Sequence, residues 1–551
     1  MRRYFALVLM VTGILLGMGC LRAHAQDPDV RCAACHRQIY ESWKRTPMAN
    51  ASGPAAQGFI PADFTHAASG VHYRMELEHG QVWLSYERPD APPDRALSGR
   101  QLLLYYLGSG RRGRTWIYQR EGYWYELPIN WYAKKHMWDM TPHFLHTQFM
   151  PFTLPVDPGC LHCHASDVQA SLPEARNKFA GPPFPHGGIT CEACHGDPTR
   201  HLASSGAEPM LDPAKLTAIR RASVCLECHL EGEVAVVKQG QKLGAFRPGE
   251  NLFDEAVYFE DGRKIGPEGR ATSQWESLLE SACKRASGDR LTCTTCHDPH
   301  ATVAAGNRVA YYRARCLTCH TGLASGHHAE NPDCTACHMP RQPTEDIAHE
   351  QVTDHRIQIP GKPFHRTGAA SELVAIGGSE PTTRDEGIAW AELAVRGDQA
   401  AGERALRLLL QAESADPTQA SDTDLHVNLG FLEQANGDQA RAATEYEQAL
   451  HADPWNESAA ADLAVLDARQ ANYAAATPLL AKVFRDDPGA SAAGVDLAVA
   501  QCRQGDAPAA AETLHRLLLF SPDDDTARRF SLALAGGTAA CGAAVIHKGS
   551  E

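Results

Sequence analysis

The sequence predicts a mainly α chain: an irregular, loop-rich N-terminal part with a small β insertion at about 71–135, followed by a C-terminal α-solenoid. Three observations predict it. Seven Cys-x-x-Cys-His pentads lie between Cys32 and His338, separated by Gly- and Pro-rich sequence with little helical or strand periodicity. Residues 71–135 interrupt that spacing with alternating apolar and polar positions broken by turn signals. Beyond about residue 386, apolar positions recur every 34 residues.

A chain of 551 residues is too long for one typical domain. The expected divisions are an export signal at 1–25, a cysteine-rich region at 26–365, a linker at 366–385, helical repeats with a capping helix at 386–535, and a tail at 536–551. Arg2 and Arg3 precede an apolar run from Phe5 to Met18, and Ala23-His24-Ala25 stands before Gln26. A basic start, a short apolar stretch and an A-x-A site read as a cleaved secretory signal, too short for a membrane span. The expected location is therefore periplasmic or extracellular, with no integral membrane span. Cys20 would allow a lipid anchor, but Gly17-Met18-Gly19 matches a lipoprotein signal poorly.

The pentads carry the chemistry. They begin at Cys32, Cys160, Cys191, Cys225, Cys293, Cys316 and Cys334, with second thiols at Cys35, Cys163, Cys194, Cys228, Cys296, Cys319 and Cys337. Two thiols three positions apart lie on one helical turn and can form thioethers with the two vinyl groups of a haem. The following residue, His36, His164, His195, His229, His297, His320 or His338, then offers an axial nitrogen to the iron. Zinc or disulfides would account for the cysteine pairs, but neither needs a His after every second Cys. Seven copies imply seven covalent haem c groups, and their attachment outside the cytoplasm agrees with the export signal.

Histidine supply fits. Of 27 histidines, 22 fall between His36 and His365, leaving 15 besides the motif residues for second axial positions. The net charge of -14 is uneven, because residues 386–535 alone carry 24 acidic against 11 basic side chains. Haem propionates add further negative charge, so the composition argues against nucleic acid as a partner.

From Gln38-Ile39-Tyr40 through Trp43-Lys44 to Thr46-Pro47-Met48 the chain resembles multihaem cytochromes of the cytochrome c-554 type. That family usually has a ligating His where Met48 stands. The departure leaves Met48, His66, His72 or an open position on the first haem. His186-Gly187-Gly188-Ile189-Thr190 leading into Cys191, and Gly196 to His201 after it, match the family pattern closely. The resemblance implies His201 as an axial ligand and His186 as a further candidate. Leu291-Thr292-Cys293 through His297-Asp298-Pro299-His300 likewise implies His300, and Cys337-His338-Met339-Pro340 resembles an ending found in several multihaem families, pentahaem nitrite reductases included. His349 and His355 can reach back to earlier haems, with His327 and His328 competing for the same role. Cys283 has no partner three residues away and no assigned role.

In the insertion, His72–Leu77 and Gln81–Tyr86 alternate around His79-Gly80, and Thr115–Tyr118 pairs with Tyr123–Glu126 across Glu121-Gly122. In the C-terminal part Pro454, Pro488 and Pro522 stand 34 apart, as do Ala442, Ala476 and Ala510, and Leu429, Leu463 and Leu497. This is the tetratricopeptide pattern, with 386–417 a looser first copy, four repeats in all, and a capping helix from Asp523 to about Gly536. Such repeats bind peptides or partner proteins in a concave groove. The expected function is an exported relay that passes electrons through seven haems between redox partner proteins, with the repeats docking a partner. The alternatives are a haem enzyme acting on a small nitrogen or sulfur species at one open haem, and an assembly scaffold. No protein-borne catalytic residues stand out.

Overall fold

The computed structural model describes residues 27–537 and 541, apart from 90, 93–94, 157, 174, 231, 243, 263–272, 324–326, 328–330, 342–352, 362–372, 378–379 and 416–420. The side chains of His143 and Cys160 also lie outside the description. The expected signal at 1–25, His349 and residues 366–372 and 378–379 of the 366–385 segment therefore fall outside it.

The β part is larger than the expected insertion. Its strands are β1 Ser52–Pro54, β2 Ala62–His66, β3 Val71–Glu78, β4 Gln81–Glu87, β5 Ser98–Leu103, β6 Tyr105–Leu107, β7 Gly113–Arg120, β8 Tyr123–Glu126, β9 Ile129–Tyr132, β10 Met137–Met140 and β11 Leu154–Pro155. β2 to β5 form a four-stranded antiparallel sheet in sequence order, and a second sheet runs β1-β6-β7-β8-β11 with β9 and β10 attached through β7. Both expected hairpins form. Glu78 pairs with Gln81 across His79-Gly80, and Arg120 with Tyr123 across Glu121-Gly122. All four turn residues have positive φ, the geometry that matches a two-residue turn to the twist of its strands. The inward positions, among them Tyr73, Met75, Leu84, Trp116, Tyr118 and Tyr125, are essentially inaccessible and form one core. These aromatics act mainly as packing, as side chains that bury large area with a polar tip do.

Two further sheets lie outside the expected insertion. β12 Ala165–Ser166 pairs with β13 His186–Gly187, and β14 Val234–Val237, β15 Ala256–Asp261 and β16 Leu373–Ile376 form a three-stranded antiparallel sheet. β16 corrects the linker reading. Its four residues pair with Tyr258–Asp261, so this stretch is an edge strand rather than a free connection. Sequence pattern missed it because four residues in a Gly-rich setting carry too little alternation.

The solenoid helices are α1 Thr383–Val395, α2 Gln399–Ala415, α3 Thr423–Ala435, α4 Gln439–Ala452, α5 Glu457–Arg469, α6 Tyr473–Asp486, α7 Ser491–Arg503, α8 Ala507–Phe520 and the cap α9 Asp525–Ala535. Glycines stand where several of these helices approach closely, Gly387 against Leu409, Gly430 against Tyr446 and Gly494 against Phe484. At Gly430 a Cβ would stand 2.5 Å from the Tyr446 ring, so only glycine permits this approach. Helix starts are capped by Asp or Asn side chains at Asp422, Asp438, Asn456, Asp506 and Asp524, which accept the exposed first-turn N–H groups. α1 begins three residues before the expected start, fixed by a reciprocal cap between Thr382 and Asp385. Cys502 and Cys541, which belong to no motif, form a disulfide beside the cap.

Candidate haem centre

Three motifs lie in longer helices, the first in Val30–Trp43, the fourth at the end of Ala218–His229 and the sixth at the end of Arg308–Leu317, and the others sit on single turns between loops. Cys293–Cys296 opens on a reciprocal cap from Thr292 and Thr295, and Cys334–His338 on Asp333, whose carboxylate accepts from Thr335 and Ala336. Such short helices offer little to bury, and no residue of either is buried. All seven motifs contribute lining to one continuous cavity of about 3230 Å³, together with Trp43, Met48, Phe246, Trp275, Leu278 and Tyr312.

Sequence-distant motifs meet there. The third packs against the first: Cys191 N–H donates to Asp29 at 3.0 Å, Ile189 N–H donates to the Met48 carbonyl at 3.0 Å, and Arg31 pairs with Glu192. The two glycines before this motif are required. A Cβ on Gly187 would stand 2.5 Å from the Ser52 carbonyl, and one on Gly188 would collide with Ala49. The second and fourth motifs face each other reciprocally, Cys163 Sγ 3.8 Å from the Glu227 carbonyl and Cys228 Sγ 3.8 Å from that of His162. Cys225 meets Cys293, and Cys316 meets Cys334. Burial raises the thiol pKa of Cys194, and the contact between Cys225 and Cys293 raises the pKa of the first thiol and lowers that of the second.

The histidines are arranged in opposed pairs. His36 faces His201 with ring centres 6.3 Å apart and planes 18° from parallel, and His195 faces His300 at 6.0 Å and 15°. His297 faces His355 at 6.3 Å, and His338 faces His327 at 6.1 Å. A metal–imidazole bond is about 2 Å and the ring centre lies about 1.1 Å behind the nitrogen, so two imidazoles on opposite sides of one ion have centres about 6.3 Å apart. Each pair joins a motif histidine to one outside the motifs.

Backbone carbonyls orient these rings. Nδ1 lies 2.9 Å from the Leu211 carbonyl in His195, 2.6 Å from Glu208 in His201, 2.7 Å from Gln358 in His338 and 2.7 Å from Thr353 in His355. An Nδ1–H held this way leaves Nε2 as the lone-pair donor toward a metal. Burial also depresses the pKa of His229, His297, His300 and His355, which keeps these rings neutral. Sequence inspection missed the carbonyl partners because a main-chain group leaves no residue signature.

The other expected ligands are placed differently. Met48 lines the cavity, but the ring facing His36 is His201. His66 is buried in β2 with its nitrogens 2.8 Å from Ser69 Oγ and 3.1 Å from the Leu145 carbonyl, and His72 is 3.0 Å from Thr65 Oγ1. Neither is among the cavity-lining residues, nor is His186, which sits on β13. Cys283 does line the cavity.

Paired thiols, histidines set in facing pairs and an apolar cavity reached by every motif fit a covalently held porphyrin iron. Three family models match the chain: cytochrome c554 and c-prime over residues 31–59, the doubled CXXCH motif over 285–325, and the tetratricopeptide repeat over 468–532. The chain thus carries haem-attachment motifs of the cytochrome c554 and doubled-CXXCH kinds, with a tetratricopeptide domain at its C-terminal end. Among solved structures, the chain is similar to MamA from Desulfovibrio magneticus RS-1, at 17% identity and TM-score 0.26, covering 30% of this chain and 91% of that one. A tetratricopeptide repeat protein from Parabacteroides merdae matches at 18% identity and TM-score 0.26, covering 28% and 60%. No curated protein matches the chain in sequence.

Proposed function

We propose that this chain is a multihaem c-type cytochrome that relays electrons through seven haem c groups held in one cavity, with paired histidines on the irons of the first, third, fifth and seventh motifs. The observation that carries the reading is the set of four opposed His pairs at the separation a six-coordinate iron requires, inside a cavity lined by every motif. Haem supplies one-electron redox chemistry, and His/His ligation favours transfer over reaction at the metal, since it leaves no open position. The chain's own residues do the rest. Thiols fix each macrocycle, and carbonyls at Glu208, Leu211, Thr353 and Gln358 set the ring tautomers. Contacts between thiols of different motifs support macrocycles close enough for electrons to pass between them.

Export of the protein fits both the attachment chemistry and the Cys502–Cys541 disulfide, a bond that persists in oxidising compartments. No described helix is long and apolar enough to cross a membrane. Intact-mass measurement of the protein purified from an exporting host tests the reading. It should show seven covalent haems on a chain beginning near Gln26; fewer haems, or motif cysteines in disulfides or on zinc, would contradict it.

A further inference from the structure

Tetratricopeptide arrays commonly present their surfaces to other proteins, but this one is committed to its own chain along the turns that join its repeats. We propose that the solenoid is an internal strut, whose docking partner is the haem-bearing half of the same chain and whose function is to fix the separation of two β-sheets flanking the haem cavity.

The far end is the most deeply seated. Phe520, at the end of α8, is fully buried and belongs to the same core as Tyr118, Tyr125 and Phe152, with ring centres 5.9 Å from Tyr123 and 6.1 Å from Tyr125. Arg88 donates two hydrogen bonds to Asp523, at 2.8 and 2.5 Å, and both side chains are under 8% exposed. Asp523 also accepts the Met150 N–H at 2.7 Å. At the preceding turn the Tyr123 hydroxyl donates to the Arg485 carbonyl at 2.5 Å, that of Tyr125 to Asp487 at 3.2 Å, and that of Thr153 to the Gly489 carbonyl at 3.2 Å. A Cβ at Gly489 would stand 2.5 Å from Thr153, so the close approach depends on glycine there.

The near end is held by the other sheet. Ile388 and Leu393 of α1 share a core with Val234, Val236 and Phe259 of β14 and β15. Arg384 donates to the Val237 carbonyl at 2.7 Å, and Arg396 pairs with Glu233 at 3.0 Å.

These two sheets carry different motifs. Leu161 of the second motif packs in one core with Trp124 and Phe184, beside the sheet that holds Phe520. Leu226 of the fourth motif packs in another with Tyr258 of β15. The two motifs meet at Cys163 and Cys228. A rigid solenoid anchored on both sheets therefore sets the distance at which these haem sites face each other. Domain contacts within a chain are usually polar and permit relative motion. A fully buried aromatic and a desolvated ion pair at one end, with a shared apolar core at the other, are the opposite case.

The strut goes beyond the relay reading, and its first readout does not depend on it. A protease recognition sequence is placed at 378–379 of the full-length holoprotein, so that β16 stays with the haem half, and the cleaved protein is run by size exclusion. The strut predicts that the haem-free fragment carrying the solenoid stays with the haem half as one species. Its separation from the cleaved wild type would show a tethered docking arm and overturn the proposal. In a second chain, Phe520→Ala and Asp523→Ala remove the far anchor and Ile388→Ala and Leu393→Ala the near one; cleavage should then release the solenoid, and low-temperature electron paramagnetic resonance of the haem half should change. Release with an unchanged haem spectrum would overturn the role in spacing, and retention by this variant would overturn the assigned anchors.

Discussion

His195 and His300 face each other with ring planes 15° from parallel and centres 6.0 Å apart, although one belongs to the third haem motif and the other follows the fifth. His36 and His201 repeat the relationship between the first motif and the segment behind the third, and His297 and His355 between the fifth and the segment behind the seventh. Each of these irons would thus be completed by chain that trails a later attachment site. The half that carries them closes only when distant segments return.

Removing one imidazole should open one iron. His300→Ala is expected to convert a single haem per chain to the high-spin state, and His201→Ala to do the same at the first motif, both read by electron paramagnetic resonance of the oxidised protein. Met48→Ala should leave the spin states unchanged, because His201 occupies the position opposite His36.

Asp523→Ala leaves the Arg88 guanidinium buried without its carboxylate and strips the Met150 N–H of its acceptor. Breaking a buried pair from one side costs about 3–5 kcal/mol. Urea unfolding followed by helical circular dichroism should show this loss, and the same substitution at exposed Asp525, paired with Arg529 one turn on, should cost under about 1 kcal/mol.

Burial pushes Glu126 up to about 7, partly offset by a hydrogen bond from Thr115, against 4.5 for the free side chain. The folded state therefore holds this proton more tightly than the unfolded chain. Its contribution to stability is complete below pH 4.5 and is lost as pH rises to about 7, with no further change above. The loss amounts to at most about 3 kcal/mol. Glu126→Gln should flatten the stability profile across that window; an unchanged slope would mean that another group controls it.

The Cys502–Cys541 bond closes a segment of 39 residues around α8 and the cap. Replacing both by Ser should lower stability by up to about 4 kcal/mol on the chain-entropy account, with earliest loss of amide protection expected in α9.

The sequence made the covalent chemistry and the repeats plain, since both are written as fixed local spacings: thiols three apart with an adjacent His, and Leu429, Leu463 and Leu497 at one interval. The hairpins at His79-Gly80 and Glu121-Gly122 were legible for the same reason, a turn signal between alternating runs. What was not legible depends on segments far apart in the chain. β16 exists because Tyr258–Asp261 offers it an edge, His201 serves His36 because the third motif packs on the first, and Phe520 reads as an ordinary helix-end residue until β8 covers it. Nothing near those residues announces the partner.

If every motif holds a redox-active haem connected to the others in one cavity, coulometric reduction of the purified holoprotein, followed by its haem absorbance, counts them directly. Seven electrons per chain should be taken up reversibly; a smaller reversible uptake, with some motifs carrying no reducible iron, would show that the motifs do not all hold haem.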